Sequence, residues 1–418
     1  MKYCLSLILL AICSQVAVAA DNVRIGVFWL YDIRVIQATP VNKPITISRD
    51  NGRQDYLLTV GRKLIVQRDS DGLLCNVTDN SGQTVDQWRG SSISLNEGDL
   101  SGTTSLSIPG KITRAFRGVV MIKPAANLAS APKTEIRVVL ETDRENAIAA
   151  IAASEMPVRA GKADLQSLQS LSVVIRTFMI GHPHRHSEEG FDYCDSTHCQ
   201  HYQGEDFTSR IAGRLAKQAT SETRGNILSF EGKPIEAYFT AACGGITTTP
   251  QVAWGTVPSG AYSYYTVRCK WCRASHFYRW ERHVDAGKLF DAASKIAGLK
   301  LTSQARFETV EADNGFVQAI RIIDGPQVAL VSISKFRSDL GRILGWNTVI
   351  SNAFTMERRG SEFVIHGRGF GHNVGLCIEG ALRQSETGRS WRSILAYYFP
   401  HADITAMANA QGLIKSLK

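Results

Sequence analysis

Residues 134–157 read TEIRVVLETDRENAIAAIAASEMP, and the fold turns on how that run divides. Thr134 to Glu141 carries the β-branched and apolar side chains of a strand. From Asn146 to Ser154 alanine and isoleucine take over, and Pro157 biases Met156 away from helical geometry, so a helix ends near Glu155. A second helix starts at about Asp164, a good cap residue. Beyond it Leu165, Leu168, Leu171, Val174, Ile175, Phe178 and Met179 recur at helical spacing. No regular βαβ alternation surrounds this run, which makes the class α+β.

Upstream, residues 21–130 read as a β-rich domain. Asp55 to Val60, Lys63 to Arg68 and Val119 to Lys123 are strand-like, set apart by turn signals at Asn51-Gly52, Asp71-Gly72, Ser81-Gly82 and Pro109-Gly110. Pro124 to Lys133 reads as a linker into a mixed α/β core, residues 131–418, which is expected to hold a substrate cleft. Within that core His283 to Ala297 is a helical candidate. Ala305 to Ile365 returns to strand-like alternation, as in Phe316 to Ile323 and Val328 to Ser332, and a last helix follows Gly380.

Residues 1–20 have the form of a secretory signal: Lys2, the apolar run Leu5 to Ile12, and Ala17-Val18-Ala19 before the cut. The expectation is an exported protein, periplasmic or extracellular and wall-associated, with no integral membrane segment after the signal is removed. The 418-residue chain has a formal net charge of +9, which suits an anionic partner, yet it lacks the basic blocks expected of a nucleic-acid binder. Removing Cys4 and Cys13 leaves Cys75, Cys194, Cys199, Cys243, Cys269, Cys272 and Cys377, an odd set in a compartment that permits disulfides.

Three constellations carry chemistry. Glu155 lies in the last turn of its helix, where the negative end of the macrodipole raises a carboxyl pKa and suits it to donate a proton; an ordinary solvated glutamate fits the same four residues. His182, His184, His186, Cys194, His198, Cys199 and His201 offer soft donors within a short span. They suit tetrahedral zinc, a Cys194–Cys199 disulfide, or solvated histidines with free thiols. Cys243-Gly244-Gly245 and Gly367 to His372 are glycine-dense, which fits close backbone approach to a ligand or a tight structural turn; His372 is either a general base or a hydrogen-bonded core histidine. Cys269-x-x-Cys272 reads as structural, disulfide-bonded or partnered with Cys243 or Cys377.

Taken in order, these segments resemble the stage II sporulation protein D, or amidase-enhancer, family. Ala152 to Pro157 is similar to its "SEMP" site, Arg176-Thr177-Phe178 to its Ala-Arg-Thr-Tyr helix, and Cys194 to Gln200 to "CDxTHCQ". Ala237-Tyr238-Phe239 with Gly244-Gly245, Phe336-Arg337 with Leu340-Gly341, Gly367 to Gly375 ("GRGxGHGVG") and Tyr397 to Pro400 ("YYYP") complete the series, over about residues 110 to 405. The resemblance implies a peptidoglycan lytic transglycosylase that cuts between N-acetylmuramic acid and N-acetylglucosamine in peptide-stripped glycan and leaves 1,6-anhydro ends. Glu155 would be its catalytic residue. Arg176, Gln200, Tyr202, Tyr238, Gly244, Gly245, Gly371 and His372 would contact substrate. One structural zinc per chain would be held by His186, Cys194, His198 and Cys199, with His184 an equally near alternative to His186. A cell-wall amidase is the implied partner, and a non-catalytic, glycan-binding enhancer of that amidase is the alternative reading. Departures from the family pattern are the bulky Val173-Val174-Ile175, Asn373 in place of glycine, and Ile378 in place of a polar residue.

Overall fold

The computed structural model describes residues 21–49, 55–129, 131–156, 165–204, 211–256 and 260–407. The expected signal segment, Asn51-Gly52 and Asp164 lie outside them. The class is α+β. Among the described residues the helices are α1 (Arg144–Glu155), α2 (Leu165–Gly181), α3 (Ile211–Glu222), α4 (Pro250–Trp254), α5 (Ala286–Ala297), α6 (Ile333–Leu344), α7 (Ile378–Glu386) and α8 (Trp391–Tyr398). None of them is long and apolar enough to cross a membrane.

Two sheets dominate the first half. One is six-stranded and antiparallel, in the order Ile112–Arg117, Thr103–Ile108, Val35–Pro40, Lys63–Asp69, Gly72–Thr78, Thr84–Gly90. The other has seven strands: Tyr193–Cys194, Asn22–Val27, Ile136–Asp143, Val119–Pro124, Ile93–Leu95, Ile45–Arg49 and Tyr56–Leu58. The boundary expected at residue 130 therefore separates two strands that pair within one sheet. Ile136–Asp143 pairs with Asn22–Val27 on one side and with Val119–Pro124 on the other. The segment read as a linker is the connection between two adjacent antiparallel strands, closed by Ala125 N–H donating to Glu135 O at 3.0 Å. One apolar core runs from Val23 through α1 and α2 to Phe399. Chain order suggested a split that the hydrogen bonding does not respect.

A second core lies wholly within residues 280–365, around Leu289, Phe290, Ile320, Phe336 and Ile365. Here the expected helix at His283 is corrected. His283 pairs with Val364 in the antiparallel ladder of Trp280–Asp285 with Glu362–Arg368, and Asp285 caps α5 by accepting from Lys288 N–H at 2.9 Å. Helix α6 interrupts the strand-like stretch after Ser332, which caps it. Gly380 sits in the first turn of α7 rather than ahead of it.

Candidate functional site

Helix α1 is buried on every side from Ala147 to Ala153, and small side chains let it lie against α2 and α3 with the sheet strand Ile136–Asp143 leading into it. Asp143 caps it, accepting from Asn146 N–H at 3.0 Å. It stops where Met156 turns to extended geometry, which leaves Glu155 in the last turn. Glu155 keeps part of its surface open while protein packs closely around its carboxyl group. Its Oε1 accepts the backbone N–H of His201 at 3.1 Å. Burial pushes the carboxyl up to about 7 in spite of that hydrogen bond, which favours the charged form. Both effects belong to a group that can hold a proton near neutrality and release it again. His201 itself is pushed down by burial and by the nearby Arg114 charge, and its ring accepts from the Gln203 amide.

The segment that supplies His201 is anchored by a second constellation. The nearest donor atoms of His186, Cys194, His198 and Cys199 all lie within 4.8 Å of one another. Cys199 Sγ is 3.4 Å from His186 Nε2, and Cys194 Sγ is 3.7 Å from His198 Nδ1. The two thiols are not joined in a disulfide. His186 Nδ1 is engaged by Glu189 at 2.7 Å, and Glu189 is held by Arg137 at 2.9 Å and by the Trp29 indole. Such a carboxylate fixes an imidazole ring with its other nitrogen facing a metal. The donor set and its support fit tetrahedral zinc. Between the two histidines left open by sequence, geometry chooses: His184 is exposed and bonds Asp192 at 2.8 Å, outside the cluster. The loop is tied to the first strand, since Asp195 accepts Phe28 N–H at 2.7 Å and pairs with Arg114 at 3.1 Å. From Cys199 to His201 the chain takes only two steps, so whatever holds the cluster also aims the N–H at Glu155.

The residues expected to touch substrate fall into two groups. Arg176 is fully buried. It forms a two-pronged pair with Glu145 at 2.7 and 2.6 Å and donates to Asn226 O and Thr220 O, so it locks α2 to α1 instead of facing a ligand. Arg176→Met is expected to destabilise the fold by up to about 3–5 kcal/mol, because it strands the partly buried Glu145 carboxylate and the carbonyls that Arg176 covers. Chemical denaturation of Arg176→Met and of the double variant with Glu145→Leu checks this, the double variant recovering part of the loss. Tyr202 is also buried, stacked on Phe116, and Gln200 is buried. Both side chains lie inside the protein, away from an open surface.

Tyr238 and His372 belong to an aromatic cluster with Phe178, His182, Trp254 and Tyr264. Tyr238 Oη lies 3.0 Å from His182 Nε2 and donates to Glu236 at 2.8 Å. His372 Nδ1 accepts from Val374 N–H at 3.1 Å, and burial with the neighbouring Arg337 charge pushes its pKa down to about 3. It is therefore a neutral imidazole at physiological pH and a poor general base. Gly371 has φ +107°, and a Cβ there would strike Thr240 Oγ1. Gly244 and Gly245 line a cavity of about 540 Å³ with Arg268, Arg279 and Arg368. Glu155 is not in its wall. Trp254, Tyr264 and Glu236 had no sequence signal of their own; Glu236 is two residues from Tyr238, and chain folding brings Trp254 and Tyr264 to it.

Comparison with known proteins follows the same geography. Residues 132–230, which contain α1, α2 and the His186–Cys199 cluster, match the family model described as stage II sporulation protein, SpoIID. Stage II sporulation protein D of Bacillus amyloliquefaciens is 27% identical over 274 residues, 62% of this chain and 74% of that protein. Its counterpart in Bacillus subtilis is 26% identical over 276 residues, with the same two coverages of 62% and 74%. The amidase enhancer of Bacillus subtilis is 23% identical over 292 residues, covering 60% of this chain but only 39% of that protein.

Proposed function

We infer, for a chain that belongs to the stage II sporulation protein D and amidase-enhancer family through residues 132–230, that its cell-wall role is lytic cleavage of peptidoglycan glycan with Glu155 as acid and base. The observation that carries this reading is the Glu155 carboxyl group: at a helix end, partly open to solvent, held by one N–H, and pushed up to about 7. In the proposed reaction Glu155 gives its proton to the glycosidic oxygen as the bond from muramic C1 breaks. The resulting carboxylate then takes the proton of the muramic 6-hydroxyl as O6 closes on C1. Atoms balance without water, and Glu155 returns to its starting state, so one carboxyl group suffices where hydrolases need two. The zinc held by His186, Cys194, His198 and Cys199 would be structural: four protein donors close the shell, and its task is to hold the loop that presents His201 N–H.

Peptide-stripped glycan digested in heavy-oxygen water tests the reading. Anhydro-muramic ends with no label incorporated support it; labelled reducing ends mean hydrolysis. Glycan left intact while a wall amidase is accelerated would favour the enhancer role that one relative's name suggests. The pH dependence has a definite sign. The cycle begins from protonated Glu155, so kcat/KM should be flat below about 7 and fall roughly tenfold per pH unit above it. A rate still rising through pH 8 would rule out Glu155 as the initiating acid.

A further inference from the structure

Glycan cleavage leaves four cysteines without a role. Cys243 directly precedes Gly244-Gly245; Cys269 lies just before, and Cys272 within, a short 3-10 turn, Trp271–Ala274; Cys377 ends the strand Leu376–Cys377, which runs parallel to Phe239–Thr240. All four are buried and none is in a disulfide. Their sulfurs lie within 4.8 Å of one another, with Cys243 and Cys272 3.6 Å apart. A tetrahedral ion with metal–sulfur bonds of about 2.3 Å separates its ligands by about 3.8 Å, whereas a disulfide needs about 2.0 Å. The quartet has the size of the former.

Its surroundings supply what a buried, doubly negative tetrathiolate centre requires. The N–H groups of Cys243 and Gly380 each donate to Cys377 Sγ at 3.3 Å, and Tyr398 Oη lies 3.2 Å from Cys269 Sγ. Cys377 caps α7, so the positive end of that helix faces the sulfurs. Gly380 leaves the room: a Cβ there would stand 3.0 Å from Cys269 Sγ and run into Tyr398 Oη. Donors converging on sulfur stabilise thiolates, the form that binds metal.

We propose that Cys243, Cys269, Cys272 and Cys377 bind one zinc ion as a tetrathiolate site, separate from the His186 cluster, which pins both glycine-rich segments to α7 and α8. Binding exchanges thiol protons for the ion, and no electron moves. Arg268, next to Cys269, and Gly244 and Gly245, next to Cys243, line the large cavity, so the metal would brace that cavity's wall. The site makes no claim on Glu155 and stands or falls independently of it.

Elemental analysis of the mature protein, purified without a metal-affinity tag, should find about two zinc ions per chain. Cys272→Ser and Cys199→Ser should each retain about one, and the double variant none. Cobalt(II) loaded into Cys199→Ser should give the ligand-field spectrum of four thiolates alone. Hydrogen exchange around Ala242 to Ile246 and Gly367 to Cys377 should quicken in Cys272→Ser. Should that variant fail to fold, the parent decides the matter: denatured with chelator and alkylated at once, it should carry label at all four positions. A zinc content that Cys272→Ser leaves unchanged, or an intact mass that shows the quartet oxidised to disulfides, overturns the site, whereas a single zinc lost in Cys272→Ser and kept in Cys199→Ser would empty only the His186 cluster.

Discussion

Glu155→Gln is expected to cut the release of anhydro-ended fragments by at least about 10²–10⁴-fold, the usual worth of a general acid–base group. The loss should lie toward the upper end, because one carboxyl group would serve both halves of the reaction. Glutamine keeps the shape of the side chain, and its carbonyl oxygen can still accept His201 N–H, the bond that holds the native carboxylate among the described residues. Stability then separates a catalytic role from a structural one. A carboxyl raised from its usual 4.5 to about 7 by burial contributes fully to stability below 4.5 and loses that contribution as pH climbs through 7, because the folded protein must then ionise a covered group. Glu155→Gln avoids that cost and should melt no lower than the parent at pH 8. Product analysis and thermal melts at pH 5 and pH 8 check both halves. A variant that cuts glycan within about threefold of the parent rate would end the single-carboxylate mechanism.

That the helix end at Glu155 was legible has a local cause. The alanine run, the following proline and the helix end are features of a dozen consecutive residues, and the structure places the helix end as that run implies. The same holds for α2 and for the early strands, whose alternation is local. What sequence could not supply was long-range pairing. The strand Ile136–Asp143 looks like the opening of a new domain, yet its partners are the strands Asn22–Val27 and Val119–Pro124. Helix α6 stayed hidden because its signal is amphipathic and brief, capped by a serine that ends a strand.

Arg176 shows the complementary failure. The family resemblance placed Arg176 among the substrate contacts, and only the fold reveals its ion pair with Glu145, one helix away. The cysteines show how an odd count resolves. Two lie in the mixed cluster, four in the quartet, and Cys75 packs into the core of the six-stranded sheet opposite Trp88. The mixed cluster is close in sequence, but the quartet does not follow from spacing, since Cys243 and Cys377 are brought together by a parallel bridge between strands far apart in the chain.

Cys199→Ser is expected to lose one zinc ion and melt well below the parent, by on the order of 10 °C, while the chemical step is spared wherever the variant remains folded. Structural zinc is worth on the order of 10 kcal/mol in small finger peptides. Here the loop is also held without metal, by Asp195 on Phe28 and Trp29 and by the pairing of Tyr193–Cys194 with Asn22–Val27, so only part of that figure should appear. The cluster's thiols are poised for a cation. The bond from Cys194 brings Cys199 down to about 7, while burial holds Cys194 up at about 11, so one thiolate is ready and the metal must displace the second proton. Affinity for zinc should therefore fall with falling pH across the neutral range, and more steeply below about 7, where the Cys199 proton must be displaced as well. Loss of the metal would reach Glu155 through His201, two residues beyond Cys199: with the N–H no longer aimed, the carboxyl loses that bond and its pKa should climb further. The alkaline limb of the pH profile should then move upward in Cys199→Ser assayed below its melting temperature, a displacement that a general loss of folded protein does not produce. A zinc-free Cys199→Ser with normal stability and no activity would instead assign the metal to the chemical step. Parent protein with Cys194 and Cys199 joined in a disulfide would remove the zinc from this cluster altogether.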